Sequence, residues 1–193
     1  MIKKGFCLFC ILLAMAPLRA QEYPIPDIQI SLSYFGEFFS HAGFRLGVST
    51  PVSQRIKEKS NDRAINKGWV AGAYLTYYKH TYNHQAVLVT ASIGRQRIGA
   101  KGFITQLNLE AGYMASFLDG EAFEWNGNTF EDASRGSSHA VLGLNGGVGW
   151  DFNKKSNVPI SFLINPHLYL QAPFNTTVLP RLALEGRLSY HLK

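Results

Sequence analysis

From residue 178 to residue 192 the chain alternates with a period of two. Leu182, Leu184, Gly186, Leu188, Tyr190 and Leu192 fall on one side, and Arg181, Ala183, Glu185, Arg187, Ser189 and His191 on the other. Only an extended strand keeps these sets apart, because a helix of about 3.6 residues per turn would mix them. Seven earlier stretches behave alike, at 28–39, 43–53, 69–78, 85–95, 103–117, 140–152 and 160–171. In the fifth of the eight, Phe103, Leu107, Leu109, Ala111, Tyr113 and Phe117 oppose Gln106, Asn108, Glu110 and Gly112. In the sixth, Leu142, Leu144, Val148, Trp150 and Phe152 oppose Gly143, Asn145, Gly147, Gly149 and Asp151. Tyr74 and Tyr78 take the polar parity of the third and leave its facing open. The expected fold is all-β: a single antiparallel up-and-down barrel of eight strands, each long enough to cross a bilayer at a tilt.

Residues 1–20 read as an address. Lys3 and Lys4 precede an apolar run from Gly5 to Pro17, and Leu18-Arg19-Ala20 follows. This is the layout of a cleaved secretory signal, and the run is too short for a membrane helix. The barrel is then expected over 21–193. Cys7 and Cys10 both fall in the removed part, so the remaining chain is expected to hold together without disulfides. Loss of Lys3, Lys4 and Arg19 takes the basic residues from 19 to 16 against 13 acidic ones, and the formal charge from +6 to +3. Apart from one loop, no basic stripe with interleaved aromatics is left to suggest nucleic acid.

Alternation does not say which face is outside. A soluble, lipocalin-like ligand-binding barrel turns its apolar face inward, and a membrane barrel turns it outward. Two features choose the membrane. Aromatics crowd the ends of the apolar face: Tyr34, Phe38, Trp69, Tyr77, Phe117, Trp150, Phe152 and Tyr190. The polar face carries a balanced charge set, Glu37, Glu110 and Glu185 against Arg45, Arg181 and Arg187. Such a set suits an enclosed lumen, where opposite charges must pair. With these segments, the chain resembles the small outer-membrane β-barrel proteins of Gram-negative bacteria, of the OmpA/OmpX type, over 28–192. The resemblance is architectural. It implies the cell outer membrane as location, outer-membrane lipid as surround and periplasmic termini. The chain departs from those proteins in ending Tyr190-His191-Leu192-Lys193 rather than on an aromatic, and in giving the long segment 54–68 to the periplasm.

The first hairpin has an expected register. A loop at Ser40-His41-Ala42 sets Phe39 against Gly43, Glu37 against Arg45, Tyr34 against Val48 and Ile30 against Val52, which suits both faces. The six lumen charges are read as a structural network rather than an ion path, since eight strands leave an interior that side chains fill. The run Gly143-Leu144-Asn145-Gly146-Gly147-Val148-Gly149 lacks the lysine and the helix of a phosphate loop, and its inward glycines are read as making room for Arg and Tyr side chains.

His41, His80, His84 and His139 fall at one rim, and only His80 and His84, on either side of the turn Thr81-Tyr82-Asn83, loosely have ligand spacing, so neither metal nor cofactor is expected. Ser137 and His139 share a face. They are the residues on which an outer-membrane lipid-modifying enzyme, a deacylase or acyltransferase, would rest, with Glu131 or Asp132 as a carboxylate. The favoured reading is non-enzymatic, a structural or surface-interaction role.

Two polar segments carry specificity. The loop 118–134 holds Asp119, Glu121, Glu124, Glu131 and Asp132 with no basic residue, and Phe123, Trp125 and Phe130 about an Asn126-Gly127 turn. It is the candidate contact site for an envelope or extracellular protein, a sugar or a cation, against the slightly favoured alternative of a hairpin that extends the wall with its aromatics packed on one another. The segment 54–67 holds Arg55, Lys57, Lys59, Arg63 and Lys67 against Glu58 and Asp62. It is read as a solvated loop, with contact to lipid phosphate or an acidic partner as the functional alternative.

Overall fold

Each alternating stretch forms a strand, and most strands run beyond the ends that the apolar pattern marks. The structure, a computed structural model, describes residues 28–37, 41–59, 63–81, 83–156, 158–174 and 177–192. The signal read at 1–20, and Phe38 and Phe39 of the first hairpin, lie outside the described residues. In chain order come β1 (Ile28–Glu37), β2 (His41–Lys59), β3 (Arg63–His80), β4 (His84–Ile98), β5 (Phe103–Leu118), β6 (Phe123–Trp125), β7 (Phe130–Asp132), β8 (Gly136–Asp151), the short helix α1 (Asn153–Ser156), β9 (Ile160–Phe174) and β10 (Thr177–Leu192). Eight of the strands pair antiparallel into a closed ring, with β1 against both β2 and β10; β6 and β7 form a separate hairpin between β5 and β8. The up-and-down eight-stranded barrel expected from the alternation is the observed architecture.

The apolar parity faces out. Leu32, Val48, Leu75, Val89, Leu109, Leu144, Leu168 and Leu188 form an exposed band around the ring, while Ser33, Arg45, Thr90, Glu110, Asn145, Asn165, Glu185 and Arg187 are buried inside. A soluble ligand-binding barrel has the opposite polarity, so that alternative is excluded. Tyr74 and Tyr78 settle on the inner face. Phe35, Tyr78, Leu88, Met114, Val141 and Tyr169 fill one stretch of the lumen, and Ile98, Ile104 and Leu163 another. The glycine-rich run lies within strand β8, and it makes room for a tyrosine and an asparagine rather than for arginine: a Cβ on Gly143 would stand 3.0 Å from Tyr169 Cβ, and one on Gly147 would stand 1.8 Å from Asn165 Oδ1. On β2, a Cβ on Gly47 would stand 2.3 Å from the Tyr74 ring.

Two sequence expectations need correction. Within the segment 54–67, residues 54–59 and 63–67 are strand rather than loop: Gln54 pairs with Gly68, and the ladder runs on to Lys59 opposite Arg63. Past the apolar band nothing requires one face to be apolar, so no alternation marks it. The ladder is interrupted between Pro51 and Ser53, where Pro51 has no N–H to donate and Val52 is the extra residue of a bulge. The first hairpin is also displaced. Ile30 pairs with Val48, Tyr34 with Phe44, Ser33 with Arg45 and Glu37 with His41, four residues from the expected register. Glu37 and Arg45 do not face each other. An even displacement keeps every side chain on its own face, so parity gave no warning of it.

Candidate functional site

The lumen charges are built from β1, β2, β5 and β10, whose inward parity leaves them no water. Glu185 is the hub. It accepts hydrogen bonds from Ser33 Oγ (2.6 Å), Asn165 Nδ2 (3.1 Å), His167 Nε2 (2.9 Å), and Arg187 Nε and Nη2 (2.9 and 2.7 Å). Arg45 crosses the lumen to Glu110 at 2.5 Å, and its Nε lies 3.9 Å from Glu185. Tyr74 stands between two guanidinium groups, 4.1 Å from Arg45 and 5.0 Å from Arg187 to the ring centroid. Glu37 forms a second pair with Arg181, which also donates to Gln171 at 2.8 Å. All six charged residues singled out from the sequence thus meet carboxylate to guanidinium, but Arg45 meets Glu110 and Glu185 in place of Glu37. His167, Asn165 and Tyr74 complete the network. None of the three was singled out from the sequence: Tyr74 lay on a strand whose facing stayed open, and the shared parity of Asn165 and His167 on β9 is the signal that could have found them.

At the rim with the β1–β2 and β3–β4 turns, His41 and His80 stack at 3.8 Å and His84 lies 5.5 Å from His80. No group of three or more ligand residues able to hold a metal occurs among the described residues. His139 belongs to another cluster. Its Nδ1 donates to the carbonyl of Pro173 (2.5 Å), which leaves Nε2 to accept from Ser137 Oγ (3.0 Å) or Ser116 Oγ (3.2 Å).

The β6–β7 hairpin stands off the same end of the barrel. Asn126 Oδ1 accepts from the backbone N–H of Asn128 and of Thr129, both at 2.9 Å, and Gly127 at φ +99° makes the turn that a side chain would strain. Trp125 pairs with Phe130 across the hairpin, ring centroids 5.0 Å apart. This mutual packing does not hide them: Phe123 is 55% exposed, Trp125 56% and Phe130 70%. Glu121, Glu131 and Asp132 are exposed beside them, and Asp119 pairs with Lys79 at 3.2 Å. The hairpin is a two-stranded sheet of its own, joined to the β5–β8 end of the wall by the backbone bonds from Leu118 N–H to Arg135 and from Ala133 N–H to Ala122, both at 2.8 Å.

No family model and no curated protein sequence matches the chain. Solved structures do. Neisserial surface protein A aligns over 86% of this chain and 97% of its own, with a TM-score of 0.51 and 13% identity. The fold is that of the small outer-membrane β-barrels. The outer membrane enzyme PagL aligns over 85% of this chain and 99% of its own (TM-score 0.49, 13% identity). Ail, the attachment invasion locus protein of Yersinia pestis, aligns over 86% and 97% (TM-score 0.39, 13% identity).

Proposed function

We propose that this chain is a non-enzymatic protein of the cell outer membrane that acts by surface contact through the 118–134 hairpin. The apolar exterior supports the location, since such a belt is stable only against hydrocarbon. One observation carries the role: three large aromatics remain more than half exposed on a hairpin whose surface charges are acidic. Exposed apolar area of this kind marks a binding surface. Its partner is a protein, in the envelope or outside the cell, that offers basic side chains around an apolar patch. The lumen charges serve as struts of the barrel. A photo-crosslinking residue at Phe130 in intact cells is expected to give a discrete adduct that Glu131→Gln with Asp132→Gln weakens. A folded, surface-exposed barrel that gives no adduct would reject the role.

One observation favours a second reading, a hydrolytic enzyme. Ser137 and His139 have the hydrogen-bond order in which imidazole can accept a serine proton, with Pro173 fixing the tautomer. The cluster faces into the barrel mouth and not toward lipid. A serine-reactive fluorophosphonate should label the protein, and Ser137→Ala and His139→Gln should not be labelled, if this reading holds; an unlabelled wild type removes it.

A further inference from the structure

At the opposite end of the barrel, on its outer wall, four cations gather with no counter-charge among the described residues. The registers set Arg55 beside Lys67, Lys67 beside Arg97, and Arg97 beside Thr105, one row across four neighbouring strands. In the next row Trp69 lies beside Arg95 and Arg95 beside Leu107. The bulge at Val52 brings Arg55 into the first row, because beyond it the odd-numbered residues of β2 face out. Neighbouring strands are about 4.8 Å apart and successive outward residues about 7 Å, so the four residues stand on a patch of about 10 by 7 Å, within reach of one anion.

Like charges directly opposite each other destabilise a ladder, and here Lys67 has one on each side. Among the described residues, no carboxylate lies within ion-pair distance of any of the four. These residues line a groove of about 640 Å³. Arg95 lies over the Trp69 ring at 5.1 Å, which orders both. One row further along the wall, Ile93 and Leu109 are exposed in the apolar band. The groove therefore offers a cationic, hydrogen-bonding pocket at the border of an apolar wall.

We propose that this groove binds the phosphate of an anionic glycerophospholipid. Arg55, Lys67, Arg95 and Arg97 take the phosphate, and the acyl chains lie along Leu107, Ile93 and Leu109. The inference rests on reading the chain as an outer-membrane barrel with periplasmic termini, since the groove lies at the end that carries Ile28 and Leu192. That end then faces the inner leaflet.

The test is native mass spectrometry of the folded full barrel, delipidated in mild detergent and offered phosphatidylglycerol, phosphatidylcholine, lipid A or glycerol phosphate. Folding is checked first by the gel shift between boiled and unboiled samples, and failure there counts against the membrane reading alone. Phosphatidylglycerol is expected to be retained over phosphatidylcholine. Arg95→Gln with Arg97→Gln should weaken that retention roughly tenfold or more, at about one order of magnitude for every one to two cations lost. Lys101→Gln with Lys154→Gln, which removes equal charge from the same end outside the groove, should leave it unchanged. Equal retention of the two phospholipids by the wild type, an equal loss in the two variants, preference for lipid A, or full competition by glycerol phosphate would each overturn the assignment. If the arginine variant does not fold, the wild-type lipid preference decides.

Discussion

Arg45 takes its partner from across the lumen. Its ladder neighbour on β1 is Ser33, and its carboxylate is Glu110, 65 positions away in the chain and on a strand that does not pair with β2. In a buried pair, loss of one member leaves the other desolvated and alone, which costs about 3–5 kcal/mol. Arg45→Gln and Glu110→Gln are each expected to lower stability on that scale, and the double variant by clearly less than their sum, in thermal unfolding in detergent. Arg45→Gln with Glu37→Gln should be additive to within about 0.5 kcal/mol, because these residues sit in different pairs. Gly47→Ala would force Tyr74 out from between Arg45 and Arg187, at an expected cost of about 1–3 kcal/mol; the same change in a Tyr74→Ala background should cost less. Parity in the sequence was enough to put Arg45, Glu110 and Glu185 inside. Which of them meet depends on strand tilt and on room left by Gly47 and Gly147, and neither is written in any single strand.

At the scale of the element, the strands were legible where the apolar band demands alternation and illegible beyond it. Residues 54–59 and 63–68 continue the wall, yet both of their faces are largely polar and nothing separates them from a loop by pattern. The first hairpin slipped by four for a related reason. Tyr34 is as well matched to Phe44 as to Val48, so the faces accept either register. The β6–β7 hairpin was anticipated as a loop with an Asn126-Gly127 turn, and only its geometry shows that it is a sheet of its own. Orientation belongs to this scale too. A cysteine placed at Asn126 should react with a membrane-impermeant maleimide on intact cells, and one at Arg55 should react only after the outer membrane is opened. The reverse pattern would turn the barrel over, and would move the phosphate groove to the outer leaflet.

For the whole molecule, closure is the property that follows from the sum of the strands. In a ring every wall strand has two partners, and in lipid no backbone group can be left to water. Unboiled protein is therefore expected to migrate apart from boiled protein on a denaturing gel; recovery from cells as a soluble species without detergent would be incompatible with the exposed aliphatic band. The seam between β1 and β10 gives the ring a further consequence. Every other junction joins wall strands that follow one another in the chain, β5 and β8 with only the β6–β7 hairpin between them, but this one waits for the last strand to arrive. Until then the sheet has two raw edges, each a template for foreign strands. A product that stops before β10 is thus not a smaller barrel but an adhesive fragment. Completeness of synthesis becomes a physical state that the protein displays on its own surface, as the presence or absence of an edge.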